Sequence, residues 1–170
     1  METLLYQLIS LSYVVEGGVI YTIGYRGRSV NEFVRLLLGH GIKVVVDVRN
    51  ETTKTAIGFS KDELEKLLSK YGIVYIHVPE LGVPRSIRVP YKKGLMSHEA
   101  FRQWYIRHIE DVKDKWLPII ENAKRLGKVA LLCAERYPTP RGRQRYYCHR
   151  HFLANYLIKH GFFSGRYDIV

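Results

Sequence analysis

Ile42-Lys43-Val44-Val45-Val46-Asp47-Val48 is the stretch that decides the fold. It is nearly continuous and apolar, where a strand with one wet face would alternate with polar residues. A strand buried on both faces belongs in a parallel sheet covered by helices on each side. Before it, Val19-Ile20-Tyr21-Thr22-Ile23 ends at Gly24 and reads as another strand. Between the two, Ser29-Val30-Asn31-Glu32 is a capping box, in which the Ser and Glu side chains satisfy free backbone donors reciprocally. Its helix runs through Phe33, Leu36 and Leu37 and stops at Gly39 or Gly41. After the central strand, Ser60-Lys61-Asp62-Glu63 is a second capping box, with a helix ending at Gly72. Ile73 to Val78 reads as a third strand. Residues 97–126 form a long helical region with a break or kink at Pro118, closed by Gly127. Val129 to Cys133 is a fourth strand, residues 149–160 are a helix capped by Gly161, and Tyr167 to Val170 is a last edge strand. This alternation predicts one three-layer α/β domain over residues 19–170, with a mostly parallel open sheet and helices on both faces. Residues 1–18 read as an N-terminal extension.

A length of 170 residues fits one domain, and a hydrophobic share of 46% supplies a core and excludes disorder. No apolar run reaches the roughly 18 residues of a membrane span. The first twelve residues carry Glu2 and none of the basic residues that open a secretory signal. Two cysteines cannot build a secreted disulfide scaffold, so the expected location is the cytoplasm, away from membranes. Three Gln and four Asn beside many Lys, Arg and Glu point towards a thermophile.

The net charge of +11 is uneven: residues 134–170 hold seven basic side chains against two acidic ones. The densest cluster is Arg136, Arg141, Arg143, Arg145 and Arg150, interleaved with Tyr137, Tyr146 and Tyr147. Gly24-Tyr25-Arg26-Gly27 lacks the dinucleotide fingerprint, and no phosphate-loop signature is present. The sheet is Rossmann-like, but no nucleotide cofactor is expected.

In open α/β sheets, ligands bind outside the carboxyl ends of the strands. Here the strand ends carry Tyr25-Arg26, then Asp47 and Arg49, then His77 and Glu80, and finally Cys133 and Glu135. A parallel sheet brings all of these to one rim. Cys148-His149-Arg150 stands at the start of the last helix, where the helix end and the neighbouring cations favour a thiolate. Cys148 is then a nucleophile or redox thiol, with Cys133 as its resolving partner. Three plainer roles stand beside this one. Cys133 is also a small core residue, the two cysteines are also a candidate disulfide, and Cys133, Cys148, His149 and His151 are a candidate zinc set. Their spacing matches no standard zinc pattern, so no metal is assigned.

Thr22-Ile23-Gly24-Tyr25, Val46-Asp47-Val48-Arg49, His77-Val78-Pro79-Glu80-Leu81-Gly82, Cys133-Ala134-Glu135-Arg136-Tyr137-Pro138 and Cys148-His149-Arg150 occur in this order. Together they resemble the domain-of-unknown-function family numbered 488, over about residues 19–170. The resemblance implies a compact α/β domain and no particular reaction. The link from Thr139 to Tyr147, with Arg141, Arg143 and Arg145, is longer than in similar sequences.

Two function classes fit these residues. The first is an enzyme, or a relative of one, acting on a phosphate- or carboxylate-bearing ligand at the strand-end rim. Tyr25, Arg26, Arg49 and Arg150 would bind the anion. Asp47, Glu80 or Glu135 would act as base, and His77 or His149 would shuttle protons. The second is a nucleic-acid-associated protein using Arg136, Arg141, Arg143 and Arg145 on phosphates and the tyrosines on bases. A non-catalytic interaction protein is a third class.

Overall fold

A computed structural model describes residues 18–53 and 56–170. The central stretch forms strand β2 (Ile42–Asp47), inside a five-stranded sheet of order β3-β2-β4-β1-β5. The other strands are β1 (Val19–Gly24), β3 (Val74–His77), β4 (Lys128–Cys133) and β5 (Gly165–Ile169). Every pairing is parallel. The described residues add six α-helices: α1 (Val30–Gly39), α2 (Lys61–Ser69), α3 (Arg85–Lys92), α4 (His98–Asp111), α5 (Lys113–Leu126) and α6 (His149–Lys159).

The valine run of β2 is dry because it feeds two cores. Val45 joins Ile23, Ala130 and Leu132 against Phe33 and Leu37 of α1 and Leu64 and Leu68 of α2. Val44 and Val46 join Ile20, Val129 and Leu131 against Tyr105, Trp116 and Leu153 of α4, α5 and α6. Leu37, Leu64 and Leu68 are fully buried, and each such side chain contributes about 1.5–3 kcal/mol of burial. This is the three-layer α/β domain expected from the sequence. No helix among the described residues is long and apolar enough to cross a membrane.

Local chemistry sets most element ends. Ser60 and Glu63 make the full capping box. Ser29 caps α1 by accepting from the Glu32 N–H, but the Glu32 carboxylate does not reach back. It is taken by Arg28, whose Nη1 lies 2.8 Å away. The break in the 97–126 region falls at Val112, between α4 and α5, and not at Pro118. Pro118 is the sixth residue of α5, where it removes one intrahelical hydrogen bond without ending the helix. Helix α3 was not expected, because Pro84 and Pro90 oppose a helix there; Pro84 is its N-cap and Pro90 sits inside it. The expected extension over residues 1–18 lies outside the described residues except for Gly18.

The topology opens a crevice at one place. Connections leaving β1 and β2 run to α1 and α2 on one face, whereas the connection leaving β4, which lies between them, runs to α6 on the other. Such a reversal parts the loops at the carboxyl ends of the strands.

Candidate functional site

A cavity of about 310 Å³ occupies that crevice. Its walls come from the ends of β1, β2 and β4, from α3, and from the loop leading into α6. Parallel register places the strand ends level, with Gly24 opposite Cys133 and Asp47 opposite Leu132. Gly24 must be a glycine, since a Cβ there would sit 1.7 Å from the Glu135 carbonyl oxygen. Its bare backbone lets the chain after β4 cross close to β1.

The floor is a thiol–imidazole cluster. Cys133 ends β4, Cys148 is the N-cap of α6, and His149 is the first residue of α6. The Cys133 Sγ lies 3.8 Å from His149 Nδ1. Both sulfurs and that nitrogen lie within 4.8 Å of one another. His149 Nε2 is 2.8 Å from the Val48 carbonyl, so it donates its proton there and turns Nδ1 towards the sulfurs. Both thiols are free, so the cysteines do not form the disulfide weighed from the sequence. His151 stands apart from the cluster, its Nδ1 2.9 Å from Arg166 Nη1.

These contacts divide the two thiols. A hydrogen bond from Cys148 holds Cys133 well below the usual thiol range; burial opposes this, and His149 and Arg150 reinforce it. Burial pushes Cys148 up, and the neighbouring Cys133 adds to that. Burial alone would lower His149, but the Cys133 sulfur and the Val48 carbonyl outweigh it and raise the imidazole. The more acidic thiol is therefore Cys133, where the sequence pointed to Cys148. The reason is tertiary: the fold brings the start of α6 against the end of β4, so that Cys148 donates to Cys133 and His149 reinforces it.

Arg49 forms one wall. Its Nε and Nη2 grip the buried Asp47 carboxylate, at 2.8 and 2.5 Å. Tyr75 donates to the same carboxylate, and His77 Nε2 lies 2.8 Å from the Arg49 carbonyl. Burial would lower Arg49, but Asp47 more than compensates and holds the guanidinium above its ordinary range. Nη1 of Arg49 is buried and has no hydrogen-bond partner. A second carboxylate, Glu135, faces Arg26, Lys92 and the Tyr146 hydroxyl. Arg88 lines the cavity, and its guanidinium has no hydrogen bond or ion pair among the described residues. Arg88, Tyr91 and Lys92 were missed in the sequence. Their signal is the spacing of three and four residues that puts them on one face of α3.

Of the residues singled out from sequence, Tyr25, Arg26, Arg49, Cys133, Glu135, Tyr146, Tyr147, Cys148 and His149 line the cavity. Asp47 and His77 stand behind Arg49 and hold it in place. Glu80 does not line the cavity, and its backbone carbonyl accepts from His108. Arg150 does not line the cavity: it is fully buried and donates to the Glu135 and Arg136 carbonyls and towards Cys148 Sγ. It fastens the loop after β4 and does not present a fork to a ligand. Arg136 reaches the Gly27 carbonyl at 3.4 Å, and Arg141, Arg143 and Arg145 are exposed away from the cavity.

Fold and site define a class: a parallel α/β protein with a thiol–imidazole cluster beneath a cation-lined cavity. Over residues 29–157 the chain matches the family described as Domain of unknown function DUF488, and it belongs to that family. The matched span contains every cavity residue named above except Tyr25 and Arg26. Neither a curated protein nor a solved structure is significantly similar to the chain.

Proposed function

We propose that the protein binds a small phosphate- or carboxylate-bearing ligand in the strand-end cavity, with Cys133 placed to act on it. The observation that carries this reading is the Arg49 guanidinium. It lines the cavity and is held there by the buried Asp47 carboxylate. Arg88 offers a second guanidinium with free donors, and guanidinium forks match phosphate and carboxylate oxygens. Arg26, Lys92, Arg49 and Arg88 face Glu135, Glu51 and the Asp47 behind Arg49, so the cavity keeps a net positive charge. Cys133, with His149 beside it, supplies the nucleophile for a processing step. Two free buried thiols suit a reducing compartment and support a cytoplasmic location.

Calorimetric titration with inorganic phosphate and with small dicarboxylates tests this reading. Saturable binding to the wild type is expected. A hydrogen bond to a charged group contributes about 1.5–3 kcal/mol, so Arg88→Gln should weaken binding about tenfold or more. Absence of binding, or equal binding by the variant, overturns the proposal.

A second reading rests on a different surface. Arg141, Arg143 and Arg145 are exposed, with Arg141 stacked 4.9 Å from the Tyr137 ring centre. Such a loop suits a nucleic-acid backbone. Binding to random-sequence RNA should then weaken steeply as salt rises, and a flat response dismisses this reading.

A further inference from the structure

The anion reading uses the cations of the cavity and Cys133 with the imidazole beside it. It leaves unexplained why a second sulfur faces the same imidazole. In tetrahedral zinc sites, bond lengths of about 2.3 Å to sulfur and 2.0–2.1 Å to nitrogen put neighbouring ligand atoms about 3.5–3.8 Å apart. Cys133 Sγ and His149 Nδ1 stand 3.8 Å apart, and Cys148 Sγ completes the set with no pair of atoms beyond 4.8 Å. Small side-chain rotations close that gap. The Val48 carbonyl holds the far nitrogen of His149, the outer contact that fixes the tautomer and aim of a metal-binding imidazole. Arg150 Nη1, 3.6 Å from Cys148 Sγ, favours the thiolate that a metal requires.

We propose that Cys133 Sγ, Cys148 Sγ and His149 Nδ1 bind one divalent transition-metal ion, zinc by preference, with the fourth coordination position open to the cavity. Two sulfurs and one imidazole select a soft or borderline metal over magnesium or calcium. All three ligands line the cavity, so the remaining position faces it. Three protein ligands with an open fourth position are the pattern of catalytic and not of structural zinc. Charge balance favours an anion there. Two thiolates cancel the ion, and the buried Arg150 leaves an excess positive charge beside it. Binding sends the thiol protons to solvent and transfers no electrons. The site shares the cavity of the anion reading but does not depend on Arg49 or Arg88.

The test uses the full chain, reduced, stripped with a chelator and titrated anaerobically with cobalt(II). One equivalent should give a thiolate-to-cobalt charge-transfer band and the intense visible bands of tetrahedral cobalt, both erased by one equivalent of zinc. Cys148→Ser and His149→Gln, shown to be folded by circular dichroism, should lower the affinity by about a hundredfold or more. Arg88→Gln should keep the spectrum. The proposal is overturned if the wild type, with two thiols confirmed as reduced, gives no such bands or only the weak bands of octahedral cobalt. It is also overturned if the bands persist unchanged in both ligand variants. Phosphate binding without cobalt bands sinks the metal site alone, and bands without anion binding sink the anion reading alone.

Discussion

Arg49 and Asp47, two residues apart in the chain, form a buried bidentate ion pair at the carboxyl end of β2, with Arg49 Nη2 2.5 Å from Asp47 Oδ2. Asp47 is fully buried, and its oxygens also take the Arg49 backbone N–H and the Tyr75 hydroxyl. The pair spends Nε and Nη2 of the guanidinium on the fold. Removing one partner of such a pair strands a buried charge. Asp47→Asn is therefore expected to lose about 3–5 kcal/mol in urea unfolding. A loss below about 1 kcal/mol would mean that Arg49 is held by other contacts.

Gly24 and Gly39 make a contrasting pair. A Cβ at Gly24 meets backbone atoms of Glu135 and Arg136, which cannot swing away as a side chain end can. Gly24→Ala should cost at least the 1–3 kcal/mol typical of overpacking and should displace the loop carrying Glu135. Gly39, at the end of α1, has nothing within 4 Å of an added Cβ. Gly39→Ala should be neutral or stabilise by up to about 1 kcal/mol. Thermal melts of the two variants give the comparison directly.

Lys92 sets an alkaline limit. Burial would lower its pKa from 10.5, but the hydrogen bond and charge of Glu135 outweigh this and raise it. A group with a raised folded pKa contributes stability that is complete below its unfolded value and is lost as pH rises through the folded one. The stability difference between wild type and Lys92→Met should hold steady from about pH 6 to 9 and shrink above about 10.5. Lys92 is a third exposed, so the difference should stay within about 1 kcal/mol. A difference that ignores pH would show that the Lys92 charge is not engaged.

Arg150 and Arg88 should separate stability from binding. Arg150 spends its donors on two backbone carbonyls and a sulfur, so Arg150→Lys loses the fork and should unfold more easily by about 1.5–3 kcal/mol. Arg88 has no partner to lose, and Arg88→Gln should leave unfolding within about 0.5 kcal/mol of wild type while weakening anion binding. Urea melts and calorimetry on both variants check this. If Arg150→Lys changes binding and not stability, Arg150 is a ligand contact.

The sequence by itself determined the strands, the caps and the layers. The unbroken valines of β2 announce burial on two sides, and Ser60 and Glu63 announce a helix start, because both signals act within a few residues. It also set the rim, since parallel strands must end together and carry Arg26, Arg49, Cys133 and Glu135 to one side. What it did not determine is which of those residues face the same space. Asp47, Arg49 and His77 read alike as polar strand ends, yet only Arg49 reaches the cavity, and Arg150 reads as an exposed anion ligand but is the most deeply buried cation of the site. Helix α3, with Arg88 and Lys92, was hidden by its prolines. Those outcomes depend on β4 lying between β1 and β2 and on α6 turning His149 back over the end of β4. These are contacts between residues far apart in the chain, decided by packing of the whole core and not by any local propensity.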